Sequence, residues 1–120
     1  MGTWQAHGAL GDIRQVRQLV SRAVEDQPEA TRDAAVLLVD ECLANAVQYG
    51  GGEFDLTVAR RSGMLRVEVM DRNPELPSPV PPDLESERGR GLAIVGSLAS
   101  RWGAMGVEHG KVVWFELALV

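Results

Sequence analysis

The chain is poor in cysteine, lysine and aromatic residues, and it has no long apolar run. Its one cysteine, Cys42, excludes a disulfide framework and any multi-thiolate zinc site. A reducing cytoplasm is therefore the expected location, and the apolar neighbours of Cys42 mark it as a small buried hydrophobe. No segment approaches the roughly 18 apolar residues of a membrane helix, so no membrane partner is expected. Met1 to Leu10 has neither the basic start nor the apolar centre of a secretory signal. Basic residues are 11 Arg and the single Lys111 against 17 acidic residues, a net charge of −5. Beyond Arg60-Arg61 and Arg88-Gly89-Arg90 they do not cluster. The broad basic face that a phosphate backbone requires is missing, which excludes nucleic acid as a direct partner.

What is present suits a globular chain: 120 residues, 45% hydrophobic and 24% charged. One domain over residues 1–120, large enough to bury a core without staples, is expected. Thr3 to Ala9 reads as a strand. Gly11-Asp12 opens a first helix with Asp12 as N-cap, and Ile13, Val16, Leu19 or Val20, and Ala23 or Val24 recur at helical spacing to about Glu25. Asp26-Gln27-Pro28 breaks it. A second helix opens at Pro28 or Thr31 and stops at Gly50-Gly51-Gly52.

Alternation then replaces the helical period. Phe54, Leu56 and Val58 point one way, and Leu65, Val67 and Val69 repeat the pattern after a turn at Arg61-Ser62-Gly63, which predicts an antiparallel hairpin. Asp71 ends its second strand. Arg72 to Glu87 holds five of the six prolines and reads as a long loop of the lid or binding kind. A third helix is expected over Leu92 to Ser100, with Gly103 after Trp102 as its stop. Ala104 to Glu108 and Lys111 to Leu119 form a last hairpin around His109-Gly110. The fold class is α/β (α+β): a two-layer sandwich of a mixed, mainly antiparallel sheet with helices on one face.

Three signals carry chemistry. The second helix is apolar at Val36, Val39, Leu43 and Val47, yet carries Glu41 and Asn45 four residues apart, one turn above the other on one face. Such groups are costly to bury without a partner. A magnesium-bound nucleotide is one such partner, since an amide oxygen is a hard ligand for Mg²⁺ and a carboxylate can deprotonate a hydroxyl or water. The second signal is Asp71 at a strand end. The third is Arg88-Gly89-Arg90-Gly91-Leu92 before a helix. Each alone is a common feature of helix faces, turns and loops; their order is not. The two histidines, His7 and His109, read as surface residues, and Trp4, Trp102 and Trp114 as core or interface anchors.

In that order and spacing the motifs resemble the GHKL (Bergerat) ATP-binding superfamily of gyrase, Hsp90, histidine kinases and MutL. Within it the chain is most similar to the stand-alone anti-sigma-factor serine/threonine kinases of bacteria. Arg101-Trp102-Gly103 and Gly110-Lys111-Val112-Val113-Trp114-Phe115-Glu116-Leu117 look like one branch of these regulators. The resemblance implies ATP and Mg²⁺ as cofactors. It implies Glu41 as general base, Asn45 as the Mg²⁺ ligand and Asp71 as acceptor for the adenine amino group. Gly89 and Gly91 would admit backbone to the phosphates at a helix N-terminus, with Leu92 opening that helix and Arg88 and Arg90 adding charge. Asn73 joins the adenine side. The implied partners are a STAS-type anti-sigma-factor antagonist and a sigma factor, with a homodimer possible. The chain departs from the family's Asp-x-Gly-x-Gly: it reads Asp71-Arg72-Asn73-Pro74-Glu75, with neither glycine. The alternative is a non-catalytic anti-sigma module in which ATP is structural or absent.

Overall fold

The computed structural model describes residues 2–9, 12–49, 53–73 and 99–120. The elements run β1 (Gly2–Ala9), α1 (Ile13–Ala23), α2 (Glu29–Tyr49), β2 (Glu53–Arg61), β3 (Met64–Asp71), β4 (Arg101–Val107) and β5 (Gly110–Ala118). The strands form one sheet in the order β1-β2-β3-β5-β4, and all four described pairings are antiparallel. Helix α2 packs on β2, β3 and β5, while α1 packs on α2 and β1. The expected α+β sandwich is what forms.

The alternation that predicts the strands also builds the core. Leu56 pairs with Val69, and Val69 with Val113; Val58 pairs with Val67, and Val67 with Phe115. These six side chains face the helices and are 2% exposed or less. From the other layer Val16 and Val20 of α1 and Leu38, Val39, Cys42 and Leu43 of α2 complete the cluster. Burial pushes the Cys42 thiol up to about 12, so it is an inert packing group.

The β2–β3 turn needs a left-handed backbone at two successive residues, Ser62 (φ 50°) and Gly63 (φ 77°), as a two-residue hairpin loop requires. Arg61 belongs to β2, where it pairs with Met64, and not to the turn. Asp12 occupies the N-cap of α1, but its side chain makes no capping hydrogen bond. The largest correction concerns β4. It begins at Arg101 rather than Ala104, because Arg101 and Trp102 pair with Glu116 and Phe115. Trp102 packs against the core, and Gly103 stands where a Cβ would lie 2.8 Å from the Trp114 ring. The chain is thus extended where a helix stop was expected, and Ala99-Ser100 form a bend rather than a last helical turn. The turn that follows β4 is Glu108-His109, with Gly110 already in β5 opposite Val107. Most of the proposed Pro-rich loop and the rest of the third helix lie outside the described residues. Among the described residues no helix is long and apolar enough to cross a membrane.

Candidate functional site

Two buried polar groups lie in the layer between helices and sheet. The first is on α2. Asn45 is 5% exposed, and neither Oδ1 nor Nδ2 of its amide has a hydrogen-bond partner. Its helix explains the burial: Leu38, Val39, Cys42, Leu43 and Ala46 are all in the core, so Asn45 is carried inward with them. A native chain seldom leaves both ends of a buried amide unmatched without a ligand, ion or water to serve them. One turn earlier, Glu41 is half-buried. Burial, then the charge of adjacent Asp40, holds its carboxyl above the usual carboxylate range. Asp40 is itself raised by burial, partly offset by Arg17, whose Nε stands 3.0 Å from its Oδ1. Glu41 is therefore moved toward the range where a carboxylate works as a base near neutral pH.

The second group sits at the end of the sheet's inner face. The alternation Leu65, Val67, Val69 continues to Asp71, which lies in register between Phe54 and Lys111. Asp71 is 3% exposed and Lys111 0%. Lys111 Nζ donates to Asp71 Oδ1 at 3.0 Å and lies 2.8 Å from Oδ2. The Asn73 backbone N–H donates to Asp71 Oδ1 at 2.9 Å, and the Asn73 carbonyl accepts from Lys111 Nζ at 3.4 Å. An aspartate bonding the amide two residues on is an Asx turn, which shapes the chain as it leaves β3 without the family's glycines. Gly110 permits this corner, because a Cβ there would stand 1.9 Å from the Asp71 carbonyl oxygen.

The structure thus joins Asp71, Asn73 and Lys111 by hydrogen bonds and sets Glu41 and Asn45 one turn apart on α2. Asn45 makes no hydrogen bond to the Asp71 group. Arg88, Gly89, Arg90, Gly91 and Leu92 lie outside the described residues. Lys111 is the residue that sequence reasoning missed. The signal was its parity: two positions before Val113, it belongs to the inward-facing set of β5.

The opposite face of the sheet holds none of these residues. There Arg66 lies over the Trp114 ring at 4.2 Å and bonds Glu68 and Glu116, beside a groove of about 400 Å³ lined by Thr3, Thr57 and Met64. No group of three or more His, Cys, Asp or Glu side chains among the described residues could hold a metal by itself.

The five-stranded sheet with helices on one face is an α+β fold of the GHKL type. The chain belongs to the histidine kinase-like ATPase domain family, whose model matches residues 6–117. That membership implies nucleotide binding. No curated protein matches the sequence. Among solved structures, the RsbU and RsbW domains of Rv1364c from Mycobacterium tuberculosis are similar with a TM-score of 0.74 and 18% identity, over 99% of this chain and 32% of that one. A blue-light activated histidine kinase of Erythrobacter litoralis EL346 gives 0.59 and 22%, over 92% of this chain and 40% of that one. The Acinetobacter baumannii histidine kinase AdeS gives 0.56 and 10%, over 99% and 69%. At these identities the likeness is one of fold. The chain spans about a third of the first structure and two-fifths of the second.

Proposed function

We propose that this chain is an ATP-dependent serine/threonine protein kinase and anti-sigma factor of the cytoplasm. Its substrate is a STAS-type anti-sigma-factor antagonist, and its regulatory partner is a sigma factor. The observation that carries this reading is the orphaned amide of Asn45, buried one turn from a carboxyl whose affinity for protons is raised. The likeness to the structure of the RsbU and RsbW domains of Rv1364c supports this reading at the level of fold.

The residues fit the cofactor the family implies. Asn45 Oδ1 is an unused hard oxygen and is the protein ligand for Mg²⁺ in this reading. Mg²⁺, when bound, neutralises charge on the phosphates. Asp71 accepts the exocyclic amine of adenine on the lone-pair capacity that Lys111 and Asn73 leave to it. Arg88, Gly89, Arg90, Gly91 and Leu92 would hold the phosphates in this reading. Glu41 takes the proton of the attacking serine or threonine hydroxyl as its oxygen bonds to the γ-phosphorus, and the bond to the β–γ bridging oxygen breaks, releasing ADP.

Titration with ATP and Mg²⁺, followed by incubation with matched antagonists and mass spectrometry for added phosphate, tests the reading. Glu41→Gln should keep nucleotide and antagonist binding and lose about 10²-fold or more in turnover, because the amide keeps the shape but accepts no proton. Tight antagonist binding by the unmodified protein with no phosphate transferred would favour the non-catalytic module. The missing glycines at Asn73 and Glu75 are what recommend that second reading.

A further inference from the structure

We propose that Lys111 is the positioning residue that makes Asp71 selective for the nucleotide base, an inference that rests on the ATP-binding reading above. Lys111 is the only lysine of the chain and is wholly buried. Its ammonium donates to Asp71 Oδ1 at 3.0 Å and to the Asn73 carbonyl at 3.4 Å, and forms an ion pair with Asp71 Oδ2 at 2.8 Å. Wholly buried against that carboxylate, Lys111 is not placed for the ordinary use of a lysine in a nucleotide site, the binding of a phosphate. Its role is turned toward the carboxylate.

The geometry shows what that role is. Asp71 Oδ1 already accepts from Lys111 and from the Asn73 amide, while Oδ2 is held 2.8 Å from the ammonium as an ion pair. A carboxylate has about four acceptor directions. The two on Oδ1 are filled, and the ammonium lying against both oxygens resists rotation of the group about its Cβ–Cγ bond. What remains is the acceptor capacity of Oδ2, held in a fixed orientation. It matches a single N–H donor, such as the 6-amino group of adenine, and opposes a carbonyl oxygen at the same place on the base. Without the ammonium, the Asn73 amide is the one donor left on the carboxylate, and the direction is no longer fixed. In a relative that carries Asp-x-Gly-x-Gly the glycines shape this corner; here a buried cation and an Asx turn do so.

The test compares ATP with inosine triphosphate, which has a carbonyl oxygen where ATP has the amine, on the full chain and on Lys111→Met. The unmodified protein should prefer ATP. The variant should lose about tenfold or more of that preference, the scale of a mismatched buried hydrogen bond. If Lys111→Met weakens both nucleotides equally, its role is only structural and the inference fails. Should that variant not fold, the unmodified protein still decides the matter, because ¹³Cε-lysine labelling gives one resonance. Saturating ATP should shift it, and inorganic triphosphate should leave it in place. ATP bound with the Lys111 resonance unmoved defeats the inference alone. No ATP binding by the unmodified protein defeats the ATP-binding reading and the inference with it.

Discussion

Asn45 and Asp71 are buried to the same degree, 5% and 3% exposed, yet they are opposites. The Asn45 amide has no partner at either end. The Asp71 carboxylate is held by an ammonium and a backbone amide. One is a polar group the fold leaves unmatched; the other is a polar group the fold already satisfies. The difference teaches that burial of a polar residue does not by itself mark a binding group. The sign of its contribution to stability does. An unmatched buried group costs stability, and under the proposed function the protein retains it for a ligand. A matched pair is part of the fold, and a ligand can use only what the pair leaves over.

Replacing a polar side chain by an apolar one of similar size should therefore have opposite effects at the two places. The largest effect is expected at the satisfied pair. Lys111→Met leaves a carboxylate buried without its cation and should destabilise the protein by about 3–5 kcal/mol, read from the midpoint of urea unfolding. Asp71→Asn/Lys111→Met removes both charges and should recover much of that loss. If the single and double variants are equally unstable, the pair is not the unit the structure shows.

At the unmatched site the sign reverses. Asn45→Leu removes an orphaned amide from an apolar layer and should raise stability by about 1–3 kcal/mol. A loss of stability would mean that the amide has a partner in solution that the fold itself provides. Next in size is Gly110→Ala. Its methyl would overlap the Asp71 carbonyl and must push β5 away from the Asp71 corner, at a cost of about 1–3 kcal/mol. A crystal structure of that variant should show the Lys111–Asp71 contact lengthened.

The smallest effect concerns Glu41 and depends on pH. Burial and Asp40 raise its folded-state pKa. A carboxyl raised on folding contributes stability that is full below its unfolded pKa and is lost as pH rises through the folded value. Glu41→Gln should thus melt slightly higher than the unmodified protein at pH 8, by less than about 1 kcal/mol given its contact with solvent. The gain should vanish in acid. A variant less stable at pH 8 would show that the carboxylate is held by a partner.

The sequence discloses the Asn45 half of this comparison better than the Asp71 half. Helical spacing alone carries Glu41 and Asn45 into the run of Leu38, Val39 and Leu43, because a helix is a local structure. The alternation Leu65, Val67, Val69 likewise turns Asp71 inward. Its partner is another matter. Lys111 lies 40 positions away, and only the register between β3 and β5 brings the two together. The start of β4 is hidden for the same reason. Arg101-Trp102-Gly103 has little strand character of its own and becomes a strand by pairing with Glu116 and Phe115 across the sheet. The Asp12 position reads as a cap from residue type, whereas a cap requires a side-chain geometry that α1 does not use.

The central claim is that the unmatched amide of Asn45 is kept, at a cost in stability, to hold magnesium-bound nucleotide. Calorimetric titration of ATP with and without Mg²⁺, on the unmodified chain and on Asn45→Leu, tests it most directly. The account predicts Mg²⁺-dependent ATP binding by the unmodified protein and its loss in a variant that melts at a higher temperature. Asn45→Leu binding ATP with the same affinity and the same dependence on Mg²⁺ would contradict it.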